Sequence, residues 1–136
     1  MSRHTARERA LQFLFECEMH CEDITVQREQ FLLLQEKITA DNLEFFDELV
    51  YGVLENKEEL DALYAPYLRK WTPDRLPIVD RCIFRLALFE IVHGTVPASV
   101  AISEAIQLSN TFAEEDAYQY INGVLGAVVR DKELEK

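Results

Sequence analysis

Glycine and proline are scarce in this chain, four of each in 136 residues. Long flexible linkers and low-complexity segments are therefore not expected. The isolated glycines cannot form a phosphate-cradling loop, which needs them clustered. Three cysteines, Cys17, Cys21 and Cys82, cannot all pair. With no apolar leader following the charged N-terminus, they read as reduced thiols of a cytoplasmic protein. Three histidines, none in an elbow-like motif, leave no visible set of nucleophile, base and orienter. No catalytic residue and no cofactor are expected. No run of about 18 apolar residues exists, so no membrane-spanning helix is expected. No segment alternates at period two, so no strand is expected either. Positive charge is also short: 14 Lys and Arg against 25 Asp and Glu give a net charge of −11.

What remains is helical spacing throughout. The first helix is expected over about 4–20, with Ala10, Leu11, Leu14, Phe15 and Cys17 inward. A second is expected over about 26–38, with Phe31, Leu34 and Ile38 inward. Asp41 with Glu44 three residues later reads as a capping box opening a third. Leu60, Leu63, Tyr64, Tyr67 and Leu68 continue that helix or restart it, and Pro66 implies a kink or a new start. Trp71–Pro77 is the best internal boundary, with Thr72 and Pro73 as an N-cap and N1 pair. A long helix follows over about 77–93, ended by Gly94. Pro97 opens a sixth, with Val100, Ile102, Ala105, Ile106, Ser109 and Phe112 on one face. The Ala113–Asp116 turn leads into a seventh, carrying Tyr120, Ile121, Val124, Leu125 and Val128. Asn122-Gly123 is a hairpin signal in isolation, but the apolar spacing runs straight through it. Gly123 is therefore expected to let another backbone approach closely. The reading is an all-α chain of about seven helices in two halves, 1–71 and 72–136.

Charge is unevenly spread. Residues 1–15 carry a local +2 and residues 66–86 a local +3, so the rest carries −16. Arg3 and Arg7 share one helical face, with His4 beside Arg7. Guanidinium forks bind phosphate bidentately and stack on unpaired bases; the plainer account is an amphipathic helix with a basic polar face. Tyr67, Arg69 and Lys70 combine an aromatic with two cations, the composition of a single-strand platform. Tyr67 reads equally as core on the Leu63/Tyr64 stripe. Cys17, His20 and Cys21 sit within about a helical turn, but zinc needs about four ligands, and small buried thiols are the simpler account. No metal is expected.

Four segments, in order and without large gaps, resemble the NusB family of bacterial transcription antitermination factors. They are Ala6–Phe15 (A-R-E-R-A-L-Q-F-L-F), Phe46–Val53 (F-D-E-L-V-Y-G-V), Asp80–Ile91, and Val96–Gly126 with I-S-E-A-I-Q-L-S-N-T-F followed by E-D-A-Y-Q-Y-I-N-G-V-L. The resemblance spans roughly residues 6 to 130. It implies two three-helix bundles packed across each other. It also implies joint binding of boxA-like single-stranded RNA with the basic ribosomal protein NusE, on the RNA polymerase complex. Carried over position by position, it implies RNA contact by the first-helix segment around Arg3, His4 and Arg7. The region of Tyr67, Arg69 and Lys70 would join it, with Gln119, Tyr120 and Asn122 from the last motif. The partner face would hold Phe15 as apolar anchor, and Asp74 and Asp80 as carboxylates facing cations.

The chain departs from the family pattern where Ser2 and Thr5 replace expected arginines, where Ala117 and Gln119 replace a serine and a lysine, and where Gly126 replaces an aspartate. Each change moves away from phosphate binding. A protein-interaction module of the same fold with little RNA binding is therefore the alternative. A third class, the RNA cytosine methyltransferases that follow such a domain, is disfavoured, because no cofactor-binding domain is expected after residue 130. Exposed apolar residues on the first helix can serve a homodimer or the protein partner equally.

Overall fold

The computed structural model describes residues 2–69 and 71–134. Seven α-helices and two short 3₁₀ turns follow one another, with no strand among the described residues: α1 Arg3–Met19, α2 Ile24–Leu33, α3 Ala40–Glu55, α4 Lys57–Tyr64, α5 Ile78–His93, α6 Ala98–Phe112 and α7 Ala117–Asp131. The chain divides into two compact units, Met1–Gly52 and Val53–Lys136. That division falls inside α3, earlier than the Trp71–Pro77 boundary expected from the sequence.

In the first unit, Ser2 caps α1 by accepting the Thr5 backbone N–H. The spacing Ala6, Ala10, Phe13, Leu14, Cys17 puts one stripe of α1 inside, with Leu11 beside it. Phe13, rather than Phe15, is the buried ring, and Phe15 is half-buried. Phe13 meets Phe31 at 5.2 Å and Phe46 at 6.1 Å between centroids, and Phe31 stacks on Phe46. The Asp23 carboxylate caps α2 by accepting from Thr25 and Val26. This helix starts earlier and ends earlier than its apolar spacing predicts. It has no buried residue, and Leu34, expected inward, is 87% exposed. Phe31 and a bidentate ion pair hold it: the Arg28 guanidinium donates to both Asp47 oxygens at 2.7 and 2.8 Å. Thr39, not Asp41, caps α3, its hydroxyl accepting the Asn42 N–H. Asp41 lies in the first turn, where its charge suits the helix dipole.

In the second unit α5 is central: it packs on α4, α6 and α7, and α6 packs on α7. Ten of its residues, Asp80, Cys82 to Leu88, Glu90 and Ile91, are buried. Arg85, counted with the second basic island in the sequence, is among them. Its guanidinium donates to both Asp61 oxygens at 2.9 and 2.8 Å, and Asp61 also accepts the Tyr64 hydroxyl. Burial of the Tyr64 ring, stacked on Phe84 at 4.5 Å, pushes its hydroxyl pKa upward, and Asp61 adds to that. On α6 the buried stripe is Ala98, Ala101, Ala105, Leu108 and Ser109, rotated from the expected face of larger side chains. Small residues let a helix sit close to its neighbours, and Val100 is left exposed. Pro66 falls in the 3₁₀ turn Ala65–Tyr67 that ends α4. Thr72 and Pro73 begin a second such turn, Pro73–Arg75. Gly94 ends α5 in extended backbone, not in the left-handed form. A Cβ there would lie 2.5 Å from the Glu90 carbonyl oxygen.

Candidate nucleic-acid interface

The second unit carries a groove of about 920 Å³. The turn segments supply Pro66, Tyr67, Leu68, Arg69, Trp71, Leu76 and Pro77, and the start of α5 supplies Asp80. The remaining wall is one face of α7, Tyr120, Gly123, Val124, Ala127 and Arg130, with Glu114 just before that helix. These α7 positions recur at intervals of three and four, beside the buried stripe Ala117, Ile121, Leu125, Val128. Three aromatic rings and two guanidiniums therefore share one concavity.

Two of the rings are fixed. The Tyr67 hydroxyl donates to Asp131 at 3.1 Å, and the Tyr120 hydroxyl donates to the Asp80 carboxylate. The Tyr120 ring also meets Phe84 edge-on at 6.0 Å. Loss of solvation, and then the neighbouring carboxylate, push both hydroxyls above the usual phenol range. Burial likewise lifts the Asp80 carboxyl above its ordinary value, the Tyr120 hydrogen bond opposing and the Glu114 charge adding. Gly123 is not a point of close backbone approach as expected: a Cβ there would meet nothing within 4 Å, and the residue opens into the groove.

The candidates named from the sequence divide accordingly. Tyr67, Arg69 and Tyr120 come together in the groove, and Lys70 lies outside the described residues. Gln119 and Asn122 are exposed on α7 but do not line it, and Gln119 donates to the Tyr118 hydroxyl at 3.2 Å. Asp80, expected as an open carboxylate for a partner's cation, is buried under Tyr120 because the first turn of α5 faces α7. Asp74 is exposed, and the Thr72 hydroxyl bonded to it holds its carboxyl below the usual range.

The α1 candidates lie in the first unit. Arg3 is exposed, its guanidinium 4.4 Å from the Phe45 ring centroid and donating to the Asp41 carbonyl at 3.1 Å. Arg7, read as an open phosphate fork, is buried, with its guanidinium 5.0 Å from the same centroid. Both cations rest on Phe45 because the basic stripe of α1 faces the start of α3. His4 is half-buried, its Nε2 3.6 Å from the Glu8 carboxylate.

Sequence reasoning used Trp71 only to mark a boundary and did not single out Arg130. The recurring spacing of Tyr120, Gly123, Val124, Ala127 and Arg130 was the available signal for the second. None was available for Trp71, whose neighbours across the groove lie about fifty residues along the chain.

The family model for the NusB family matches residues 4–130. The transcription antitermination protein NusB of Symbiobacterium thermophilum is 40% identical over 138 residues, covering 96% of this chain and 90% of that protein. The crystal form of T. maritima NusB superposes with a TM-score of 0.86 at 29% identity, covering 98% of this chain and 96% of that one. A structure of antitermination factors NusB and NusE in complex with dsRNA shares the fold, with a TM-score of 0.84 at 24% identity, covering 96% and 99%. No helix among the described residues is long and apolar enough to cross a membrane. With a family model spanning nearly its whole length and a relative this similar, the chain belongs to the NusB family of transcription antitermination proteins.

Proposed function

We propose that this chain is a cytoplasmic, non-enzymatic antitermination factor that binds boxA-like single-stranded RNA jointly with the basic ribosomal protein NusE, on the RNA polymerase complex. The observation that carries this reading is the groove of the second unit. Fixed aromatic faces beside arginines suit unpaired bases and their phosphates. Tyr67, Arg69 and Tyr120 hold the RNA there, while Lys70, Gln119 and Asn122 extend the contact. Arg3, with His4 and Arg7 behind it, supplies further cationic surface. Half-buried Phe15 anchors the ribosomal protein, and exposed Asp74 meets its cations. Buried Asp80 acts by holding Tyr120. A protein of the same fold is known with NusE and dsRNA, which supports NusE and RNA as partners, while the exposed ring faces of the groove favour the single-stranded form.

The second reading, an interaction module with little RNA affinity, is favoured by one observation: Arg3 and Arg7 are both engaged with Phe45 in a chain of net charge −11. Titration of labelled boxA-like RNA, with and without the ribosomal protein, separates the two. RNA binding that appears or strengthens with the partner is the expected result. Partner binding without any RNA binding establishes the module instead.

A further inference from the structure

We infer that Trp71 and Arg130 complete the RNA site, Trp71 as a third stacking face and Arg130 as a phosphate contact. The inference rests on the RNA-binding reading above and adds two residues to it. Trp71 is a large apolar side chain that is 55% exposed, and it lines the same groove as Tyr67 and Tyr120. An indole held open beside two other rings exposes apolar surface that a stacked base would cover. Both tyrosine hydroxyls already donate to carboxylates, so these residues offer the groove their ring faces rather than their hydroxyl protons. Arg130 is exposed and lines the groove, so its fork is presented to an anion lying there. The groove also contains two carboxylates, Asp80 deep beneath Tyr120 and Glu114 at its margin. These repel phosphate. A strand therefore lies with its bases over the rings and Gly123, where no side chain intrudes, and its backbone along Arg69 and Arg130. Duplex RNA hides its base faces and cannot use such a surface.

Trp71 is the chain's single tryptophan, so its emission reports this contact directly. The test titrates labelled boxA-like single-stranded RNA into the full chain with its ribosomal partner. RNA anisotropy and tryptophan emission are read together, and the Trp71→Phe variant serves as the emission blank. Saturable quenching at the same midpoint as the anisotropy change is expected. Trp71→Ala should weaken binding about tenfold and Trp71→Phe much less. Arg130→Gln should weaken binding several-fold and lower the salt slope by about one. A thermal melt of each variant confirms that it is folded. RNA binding with no change in Trp71 emission, and with both variants binding as the parent does, overturns the inference while the antitermination reading stands. Equal quenching by duplex RNA of the same length also overturns it. No RNA binding by the parent chain even with the partner present brings down the underlying reading, and this inference with it.

Discussion

Arg7 shows how one side chain can be read correctly for its face and wrongly for its freedom. Its spacing from Arg3 put both on one stripe of α1, and both guanidiniums do lie over the same ring, Phe45. That ring belongs to α3, so no local pattern could reveal it. Because Arg7 is buried, Arg7→Ala should remove packing as well as charge and cost about 1–3 kcal/mol in urea unfolding. Arg3→Ala, at an exposed position, should cost well under half of that. Equal losses would mean that burial is not what distinguishes the two. Gly123 gives the opposite case. Its neighbour Asn122 suggested a turn, the helix persists through both, and a methyl group there meets open space. Gly123→Ala should therefore stabilise the chain by about 0.5–1 kcal/mol through helix propensity, seen as a melting temperature raised by a few degrees. A lowered melting temperature would show a steric conflict at that position.

Among the elements, those with a strong apolar stripe were legible and those held by polar contacts were not. The seven helices and the stop at Gly94 follow from spacing and residue type, whereas the side chains that cap α1, α2 and α3, those of Ser2, Asp23 and Thr39, were not singled out. The extent of α2 does not, because Phe31, Leu34 and Ile38 at helical spacing suggested a buried face that the helix lacks. What secures α2 is Phe31 and the Arg28–Asp47 pair, and the latter joins residues 19 apart in sequence. With so little buried, the α2 amides should exchange with solvent well before those of α1, and Arg28→Ala should hasten this further. Protection in α2 equal to that in α1 would contradict this. Between α5 and α7, Asp80 makes a pH-dependent link. Its pKa is raised on folding, chiefly by burial, so the folded state binds more proton than the unfolded one above about pH 4, the usual carboxylate range. Its contribution to stability thus falls as pH rises through that window and levels off above the folded pKa. Asp80→Asn cannot titrate and can still accept from Tyr120. The melting temperature of this variant minus that of the parent should therefore climb from pH 4 towards neutrality. A difference that stays flat would mean that the carboxyl is not perturbed.

At the scale of the whole molecule, the family assignment was legible because four separate segments agreed in order. The groove was not, because its walls come from turns and from a helix far along the chain. In the proposed function, the surplus of carboxylates makes phosphate contact depend on a few cations and on a basic companion. With the ribosomal protein present, the logarithm of RNA affinity should fall steeply against the logarithm of salt concentration. A slope near zero would exclude binding dominated by phosphates. The hydroxyl tethers of Tyr67 and Tyr120 span 64 and 40 residues of sequence. The groove is thus conditional on nearly all of the second unit being made and folded. A nascent polypeptide still lacking α7 would possess the first arginines but not this groove, and no short peptide cut from the sequence could imitate a surface whose parts run from Pro66 to Arg130.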